Sequence, residues 1–254
     1  MPDSYEDLLM WNPGPKEELI GSGLLMPKSK IVVFGAPKTY KSLLACQMAC
    51  CLARGEDWLG FTPIQFRFSD TLRYSQKTLY IQCEIPHRAF RDRIIKMGGM
   101  HPPAFDMLHL QTDFQLRLDT QTGLNKLIGW IDKVRPTVVF IDPFYKILSN
   151  LDEATFNRLF DNVDSLIEKY DCSFVFVAHD TKPQSNDKGQ VIHKGGAGMR
   201  GPRTLEGWFE SIIEVRGDIS TDDRQLIFET RHAEELIPSL WLRLNRQQLW
   251  GYTF

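Results

Sequence analysis

The chain has 254 residues, a length that fits one large domain or two small ones. Hydrophobic residues make up 43% and charged residues 24% of the sequence, which is an ordinary globular balance. The formal net charge of −2 excludes a histone-like protein coated in positive charge, so any nucleic-acid binding has to come from a local basic patch.

The cysteines and the hydropathy pattern bear on the cellular compartment. An odd number of cysteines without a CxxC pair argues against a disulfide framework or a zinc site and favours a reducing cytoplasm. No apolar run approaches the roughly 18 residues of a membrane-spanning helix, and the first residues, MPDSYEDLLMW, are acidic. We therefore expect no membrane span, no secretory leader and a cytoplasmic location. The five cysteines are Cys46, Cys50, Cys51, Cys83 and Cys172.

The N-terminal stretch carries turn and breaker residues, as in PGPKEELI and LLMPKSK. It predicts an arm or a short helix over residues 1–21 that leads into the core. From residue 22 to residue 254 no convincing linker interrupts the pattern, so we predict a single domain there.

Short apolar runs predict a set of strands. Most of them are rich in β-branched and aromatic residues and apolar on both faces, which is typical of buried parallel strands. The predicted strands are Lys30–Phe34, Thr78–Gln82, a weaker one at Met107–Leu110, Thr137–Ile141 and Ser173–Ala178.

Helical patterns lie between these strands. Apolar residues from Phe156 to Tyr170 recur every three or four positions and form one stripe. A second helix is predicted over Leu124–Val134, where Arg135-Pro136 ends it. Strands that alternate with helices of this length predict βαβ units and a parallel sheet, hence an α/β fold.

The pattern changes after about residue 204. Three further strands are predicted with short turns such as GDISTDD between them, which indicates an antiparallel extension of the same sheet. These strands are Trp208–Val215, Gln225–Thr230 and Leu240–Leu244.

The strongest motif is GAPKTYKS, which follows the first strand and precedes the helical stretch SLLACQMACCLA. This is the setting of a phosphate-binding loop, in which backbone N–H groups and a helix N-terminus cradle phosphates. Lys41 would supply a positive charge, and the Ser42 hydroxyl would bind Mg²⁺. A lysine-rich turn of no special role is the alternative. The residues predicted to bind nucleotide are Gly35, Ala36, Pro37, Lys38, Thr39, Tyr40, Lys41, Ser42 and Leu43.

Tyr40 departs from the usual phosphate-loop pattern, because it stands where a second glycine is expected. We expect its side chain either to point to solvent or to pack on a neighbour. The chemistry of Gly35, Lys41 and Ser42 is unaffected by this change.

Two carboxylates follow predicted strands. Asp142 ends VVFID at the sheet edge where α/β folds bind ligands, and it would hold the metal; the alternative is a residue that caps the next turn. Glu84 ends YIQCE and could orient and deprotonate an attacking water, or it could be a surface or helix-capping glutamate before Pro86.

In order and spacing, the motifs resemble those of RecA-fold ATPases of the plasmid RepA and DnaB replicative-helicase kind, and RepA-type proteins most closely. The resemblance runs from about Glu17 to Phe254. Besides GAPKTYKS and VVFIDPF, it is carried by LARGEDWLGF, by YIQCEIP with Arg91 and Arg93 after it, by FVFVAHDTKP, by GGAGMRGPRTLEGWFESIIEV and by FETRHAEE.

The resemblance implies roles for three residues. Glu84 would be the general base, and His179 would sense the γ-phosphate and link nucleotide state to a DNA-contacting loop. Arg231 would act in trans on the phosphates of a neighbouring subunit. Glu229 stands where relatives often carry a lysine, which puts a second finger residue in doubt. The alternatives are a polar strand end for His179 and a solvated arginine at a hairpin end for Arg231.

The segment Thr181–Arg203 is rich in glycine and in polar and basic residues, with five basic residues against one acidic residue. A basic loop just after the sensor strand suits backbone contact with single-stranded DNA, although a solvated loop without a ligand remains an alternative. The residues predicted to contact nucleic acid are Lys182, Lys188, Lys194, Arg200 and Arg203.

The resemblance implies a RecA-like ATPase domain over residues 22–254, with ATP and Mg²⁺ as ligands. It suggests a hexameric ring with ATP sites at subunit interfaces, acting on single-stranded DNA as a helicase of a plasmid, phage or similar element. One alternative is an ATP-dependent assembly switch that does not unwind DNA. A small-molecule kinase is a further alternative, for which the sequence has no acceptor-binding signature.

Overall fold

The computed structural model describes residues 4–12, 17–63, 75–98, 107–180, 184–185, 191–192, 195–199, 201–202, 204–218, 220–244 and 252–253. The helices in this part of the chain are α1 (Tyr5–Met10), α2 (Lys41–Arg54), α3 (His87–Gly98), α4 (Gln121–Val134), α5 (Glu153–Tyr170) and α6 (Thr204–Trp208), with 3₁₀ turns at Phe144–Ile147 and Gly195–Gly198. The strands are β1 (Lys30–Gly35), β2 (Thr78–Gln82), β3 (Leu108–Thr112), β4 (Val138–Asp142), β5 (Ser173–His179), β6 (Gln184–Ser185), β7 (Val191–Ile192), β8 (Ser211–Arg216), β9 (Asp223–Thr230), β10 (Leu240–Leu244) and β11 (Tyr252–Thr253).

Nine strands form one sheet in the order β11-β10-β9-β8-β1-β5-β4-β2-β3. The six strands from β8 to β3 are parallel, whereas β9, β10 and β11 are antiparallel to their neighbours. Strands β6 and β7 form a separate hairpin. The predicted α/β architecture, with a mostly parallel sheet and antiparallel strands at its C-terminal edge, is confirmed.

The central strands are buried on both faces because helices cover both sides of the sheet. Along β1, Ile31 and Val33 belong to one core and Val32 and Phe34 to the other. Helix α2 packs in the first core, while α4 and α5 contribute to the second. This two-sided burial explains why β1, β4 and β5 read as continuous apolar runs rather than as alternating patterns.

Local signals place the helix ends close to the predicted positions. The side chain of Asp152 caps α5 by accepting a 2.8 Å hydrogen bond from the backbone N–H of Thr155. Helix α4 ends at Arg135, which has a left-handed backbone (φ 52°) immediately before Pro136. The prediction that the pair Arg135-Pro136 terminates this helix is confirmed.

The prediction of a strand over Trp208–Val215 is wrong at its start. Trp208 ends α6, and β8 begins at Ser211. The indole ring of Trp208 stacks on Phe160 with ring centroids 4.4 Å apart, and its N–H donates to Asp164, so this segment is docked on α5. In addition β8 is parallel to β1, so the antiparallel part of the sheet begins only at β9.

The N-terminal segment combines an exposed helix with a buried stretch. All residues of α1 are exposed. Leu19 and Ile20 are buried in the core, although they precede the predicted domain start at residue 22. The division at residues 21 and 22 stays a prediction.

All five cysteines lie in the described part of the chain, where they are buried and free. Burial raises the pKa of the Cys83 and Cys172 thiols to about 12, so they are unreactive at neutral pH. Among the described helices, none is long and apolar enough to cross a bilayer.

Candidate nucleotide site

The candidate site lies at the carboxyl edge of the sheet, where four neighbouring parallel strands end. Register brings the ends together, because Gly35 of β1 is level with His179 of β5, and Gln82 of β2 is level with Asp142 of β4. A cleft of about 720 Å³ opens there. It is lined by Pro37, Lys38, Tyr40, Lys41, Ser42, Leu43, Glu84, Ala89, Asp92, Arg93, His179 and Leu244.

The phosphate loop begins at a glycine that no other residue could replace without strain. Gly35 has φ 152°, and a Cβ atom there would lie 2.3 Å from the carbonyl oxygen of Val215 on β8. Gly35 and Ala36 line a second cavity of about 500 Å³ on that side. Within the loop the buried hydroxyl of Thr39 donates a 2.8 Å hydrogen bond to the carbonyl of Ala36. The loop is therefore tightly closed on itself and on β8.

Tyr40 takes the left-handed backbone conformation that glycine adopts most easily, with φ 67° and ψ 21°. It is the residue that precedes the first turn of α2. Of the two predicted alternatives, packing on a neighbour is the one observed. Its partly buried ring lies beneath the guanidinium of Arg224, 4.6 Å from the ring centroid.

Lys41 is a buried cation that faces the cleft. Its side chain is only 3% exposed, and Nζ donates to the carbonyl of Ala36 at 2.7 Å and to Thr39 Oγ1 at 3.4 Å. Burial lowers the pKa of Lys41 to about 8, against the opposing effect of three nearby carboxylates. The ammonium is protonated at pH 7 without a carboxylate hydrogen-bonded to it in the described structure, which suits it to an anionic ligand.

Asp142 is held by a hydrogen bond on each carboxylate oxygen. Ser42 Oγ donates to Oδ1 at 3.1 Å, and the hydroxyl of Tyr80 donates to Oδ2 at 2.7 Å. Burial raises the pKa of Asp142, while the two hydroxyl donors lower it. The charge of Arg93 acts in the same direction as these donors.

The adjacent oxygens of Ser42 and Asp142 fit the preference of Mg²⁺ for hard oxygen ligands. The described residues contain no group of three or more His, Cys, Asp or Glu side chains able to hold a metal ion alone. A magnesium ion here would take its other ligands from nucleotide phosphates and water, as is usual for this ion.

Glu84 follows β2 on the wall of the cleft and is exposed. The buried side chain of Gln82 holds the turn that carries it. The backbone N–H of Glu84 donates to Gln82 Oε1 at 2.7 Å, and Gln82 Nε2 donates to the carbonyl of Ile85 at 2.7 Å. The direction in which Glu84 leaves the strand is therefore set by a side-chain clamp.

His179 ends β5 and is half-buried beside the phosphate loop. Burial and the positive charge of Lys41 lower the pKa of His179, so the imidazole is neutral at pH 7. Within the described residues its Nδ1 is buried without a hydrogen-bond partner. The hydroxyl of Tyr145 donates to the backbone carbonyl of His179 at 3.3 Å and holds the strand end from behind.

Arg231 is not part of this cleft. Its backbone N–H donates to the carbonyl of Glu210, whose own N–H donates to the carbonyl of Lys30, at the amino end of β1. The length of β1 therefore separates Arg231 from its own phosphate loop, about 16 Å at the usual rise per strand residue. Its exposed guanidinium donates to the carbonyl of Gly207.

The nucleic-acid prediction cannot be placed in the structure. The five basic side chains of this prediction, Lys182, Lys188, Lys194, Arg200 and Arg203, lie outside the described residues.

Three residues of the site were not assigned a role from the sequence: Tyr80, Gln82 and Arg93. Tyr80 and Gln82 belong to a strand whose apolar pattern predicted burial but gave no sign of polar work. Arg93 was noted after YIQCEIP, and the structure places it in the cleft wall, near enough to Asp142 to affect its pKa.

The comparison with protein families rests on most of the chain. A profile described as AAA domain matches residues 1–185, more than half of the sequence. The chain belongs to the AAA domain family. No curated protein sequence matches it.

Solved structures give the fold of this AAA domain protein. The ATPase domain of a DnaB-type helicase has a TM-score of 0.64 at 11% identity, over 98% of this chain and 94% of that one. The KaiC-like protein PH0186 from the hyperthermophilic archaeon Pyrococcus horikoshii OT3 gives 0.62 at 10% identity, over 94% and 98%. The RadB recombinase gives 0.54 at 14% identity, over 89% and 90%. The predicted RecA-like P-loop ATPase fold is confirmed.

Proposed function

We propose that the protein is a Mg²⁺-dependent ATP hydrolase. One observation carries the proposal: the ends of four parallel strands bring a phosphate loop, two carboxylates and a neutral histidine to a single cleft of about 720 Å³. A cleft of that volume is in the range of small-molecule sites.

In the proposed reaction each residue has a distinct task. Glu84 accepts a proton from a water molecule as the water oxygen bonds to the γ-phosphorus. The bond from that phosphorus to the oxygen bridging it to the β-phosphate breaks, and ADP and phosphate are released. The positive charge of Lys41 stabilises the charge on the transferring group, and a bound Mg²⁺ would add to this stabilisation.

His179 is proposed to sense the γ-phosphate. Its neutral imidazole has a buried Nδ1 without a partner in the described residues, and it lies between Lys41 and Glu84 in their charge effects. A ligand that engages this nitrogen would link the occupancy of the cleft to the segment after β5. This is the segment that the sequence predicts to contact DNA.

We further propose a homo-oligomer, in the form of a hexameric ring, with Arg231 completing the site of the next subunit. The support is its position: an exposed guanidinium at the sheet edge opposite its own phosphate loop is useless in its own site. An arginine supplied in trans can raise phosphoryl-transfer rates about 10³- to 10⁵-fold.

The proposed use of ATP is movement on single-stranded DNA, as a RepA-like helicase in replication or recombination of a plasmid, phage or similar element. The supports are the basic segment Thr181–Arg203 and a fold shared with a protein named as a recombinase. A cytoplasmic location goes with this proposal. An ATP-dependent assembly switch is the second candidate, favoured by Glu229 at the position where relatives often carry a lysine.

Steady-state ATPase assays with and without single-stranded DNA test the proposal. DNA is expected to raise the wild-type rate several-fold, and Glu84→Gln and Arg231→Ala are each expected to lose about 100-fold or more. Lys133→Ala, which removes an exposed cation of α4, is the matched control and should retain full activity.

Mixing the two inactive variants tests action in trans. A mixed oligomer contains sites with an intact Glu84 from one subunit and an intact Arg231 from its neighbour, so activity should return. If the mixture stays inactive, the trans role of Arg231 is wrong. If DNA leaves the wild-type rate unchanged while ATP drives assembly with little turnover, the switch replaces the motor.

A further inference from the structure

Arg224, the second residue of β9, is a fully buried cation. Its Nη1 donates to three backbone carbonyls of the preceding turn, those of Asp218 at 3.0 Å, Thr221 at 2.9 Å and Asp223 at 2.6 Å. Within the described residues Nε and Nη2 have no hydrogen-bond partner. An arginine remains charged when buried, so an arrangement that leaves two donors unused is costly to the fold.

The flat face of this guanidinium lies on the ring of Tyr40, 4.6 Å from the ring centroid. A guanidinium on an aromatic face is stabilising, and more so when both groups are removed from water. The stack joins the C-terminal hairpin of β9 and β10 to the phosphate loop, two parts of the chain that are far apart in the sequence.

Tyr40 occupies the position at which holding the loop matters most. Its left-handed backbone is unfavourable for any residue with a Cβ, whereas the glycine expected there adopts it freely. The next residue is Lys41, and the backbone N–H groups that follow open α2 and would face the phosphates. A ring held by Arg224 opposes the relaxation of this backbone.

We propose that Arg224 is a positioning residue of the nucleotide site, and that it acts through Tyr40 in place of the missing glycine. By clamping the ring, Arg224 keeps the loop in the left-handed conformation that presents its N–H groups to phosphate. This inference rests on the proposed binding of ATP.

A purely structural role for Arg224 is the competing explanation. Its Nη1 closes the turn between β8 and β9, and Gly217 packs so closely on it that a Cβ there would lie 2.8 Å from Arg224 Cδ. Loss of binding in a single Arg224 variant could therefore come from a disturbed hairpin. The two roles differ in one respect, since only the positioning role requires the ring of Tyr40.

A double-mutant cycle separates the two roles. ATPγS and ADP affinities are measured by calorimetry for the wild type, Arg224→Met, Tyr40→Gly and the double variant. In the wild-type background Arg224→Met should weaken binding about tenfold. Tyr40→Gly alone should bind as tightly as the wild type or more tightly. In the Tyr40→Gly background Arg224→Met should then change affinity by less than about twofold.

Equal losses from Arg224→Met in both backgrounds would overturn the inference, and so would the absence of a loss in the wild-type background. If Arg224→Met does not fold, the cycle is run with Arg224→Gln, which keeps donors for the turn carbonyls but loses the cation. Wild-type protein that binds no nucleotide, with Lys41→Ala as reference, would overturn the proposed function and this inference together. Binding by the wild type without coupling between Tyr40 and Arg224 overturns the inference alone.

Discussion

The hydroxyl of Tyr80 donates a 2.7 Å hydrogen bond to Oδ2 of Asp142, a residue 62 positions later in the chain. Oδ1 of the same carboxylate accepts from Ser42, so the proposed metal-binding pair is oriented by a buried side chain of the neighbouring strand β2. Residues that orient a metal ligand in this way are usually important for metal affinity.

Tyr80→Phe should therefore weaken the Mg²⁺ dependence of ATP hydrolysis. The change leaves one oxygen of a buried carboxylate without its donor and allows Asp142 to rotate, and losses of about 10- to 100-fold are typical for such partners. Titration of activity with Mg²⁺ measures the effect. Tyr170→Phe removes a hydroxyl at the far end of α5 and serves as the control. An unchanged Mg²⁺ requirement in Tyr80→Phe would contradict the prediction.

Lys41→Met should stabilise the empty protein while abolishing nucleotide binding. Burial lowers the pKa of Lys41 to about 8 from its ordinary value of 10.5, so folding works against the charged form. The expected gain is about 1–3 kcal/mol of unfolding free energy, fully present below pH 8 and lost as the pH rises toward 10.5. Urea unfolding at pH 7 and pH 10 measures it. The prediction is refuted if the variant is less stable than the wild type at pH 7.

The clamp on Glu84 should affect turnover more than binding. Gln82→Leu frees the turn that carries Glu84, so we expect kcat to fall about tenfold while the affinity for ATPγS stays within about twofold. Glu84→Gln removes the base itself and should lower kcat by about 10²- to 10⁴-fold. Single-turnover hydrolysis and equilibrium binding separate the two quantities. Parallel losses of affinity and kcat in Gln82→Leu would show that the clamp shapes the whole cleft.

His179 should make the empty protein less stable at acid pH. Its pKa is lowered in the folded state by burial and by Lys41, so on acidification below about pH 6.5 the unfolded chain takes up a proton that the folded chain resists. The wild type should therefore lose more unfolding free energy between pH 7 and pH 5.5 than His179→Gln does. Urea unfolding at both pH values gives the difference. Identical losses would mean that His179 is free to titrate in the folded state.

Local sequence pattern was enough for the strands and for much of the site. Buried parallel strands announce themselves as continuous apolar runs, so Lys30–Phe34 and Thr78–Gln82 were predicted almost to the residue. The strand ends then predicted which polar side chains meet, because parallel strands bring their carboxyl ends to one edge. Lys41, Ser42, Glu84, Asp142 and His179 do line or adjoin a single cleft for this reason.

Tertiary structure alone decided the contacts between segments that are distant in the chain. The direction of β8 depends on its pairing with β1, and the fate of Trp208 depends on its packing against α5. Tyr80 counts as one more apolar strand residue until β4 places Asp142 beside its hydroxyl. A hydrogen bond or ring stack needs a partner at a definite distance, and a local pattern records the residue but not that partner. The same limit hid Arg224, which gains its meaning only where the folded chain lays it on Tyr40.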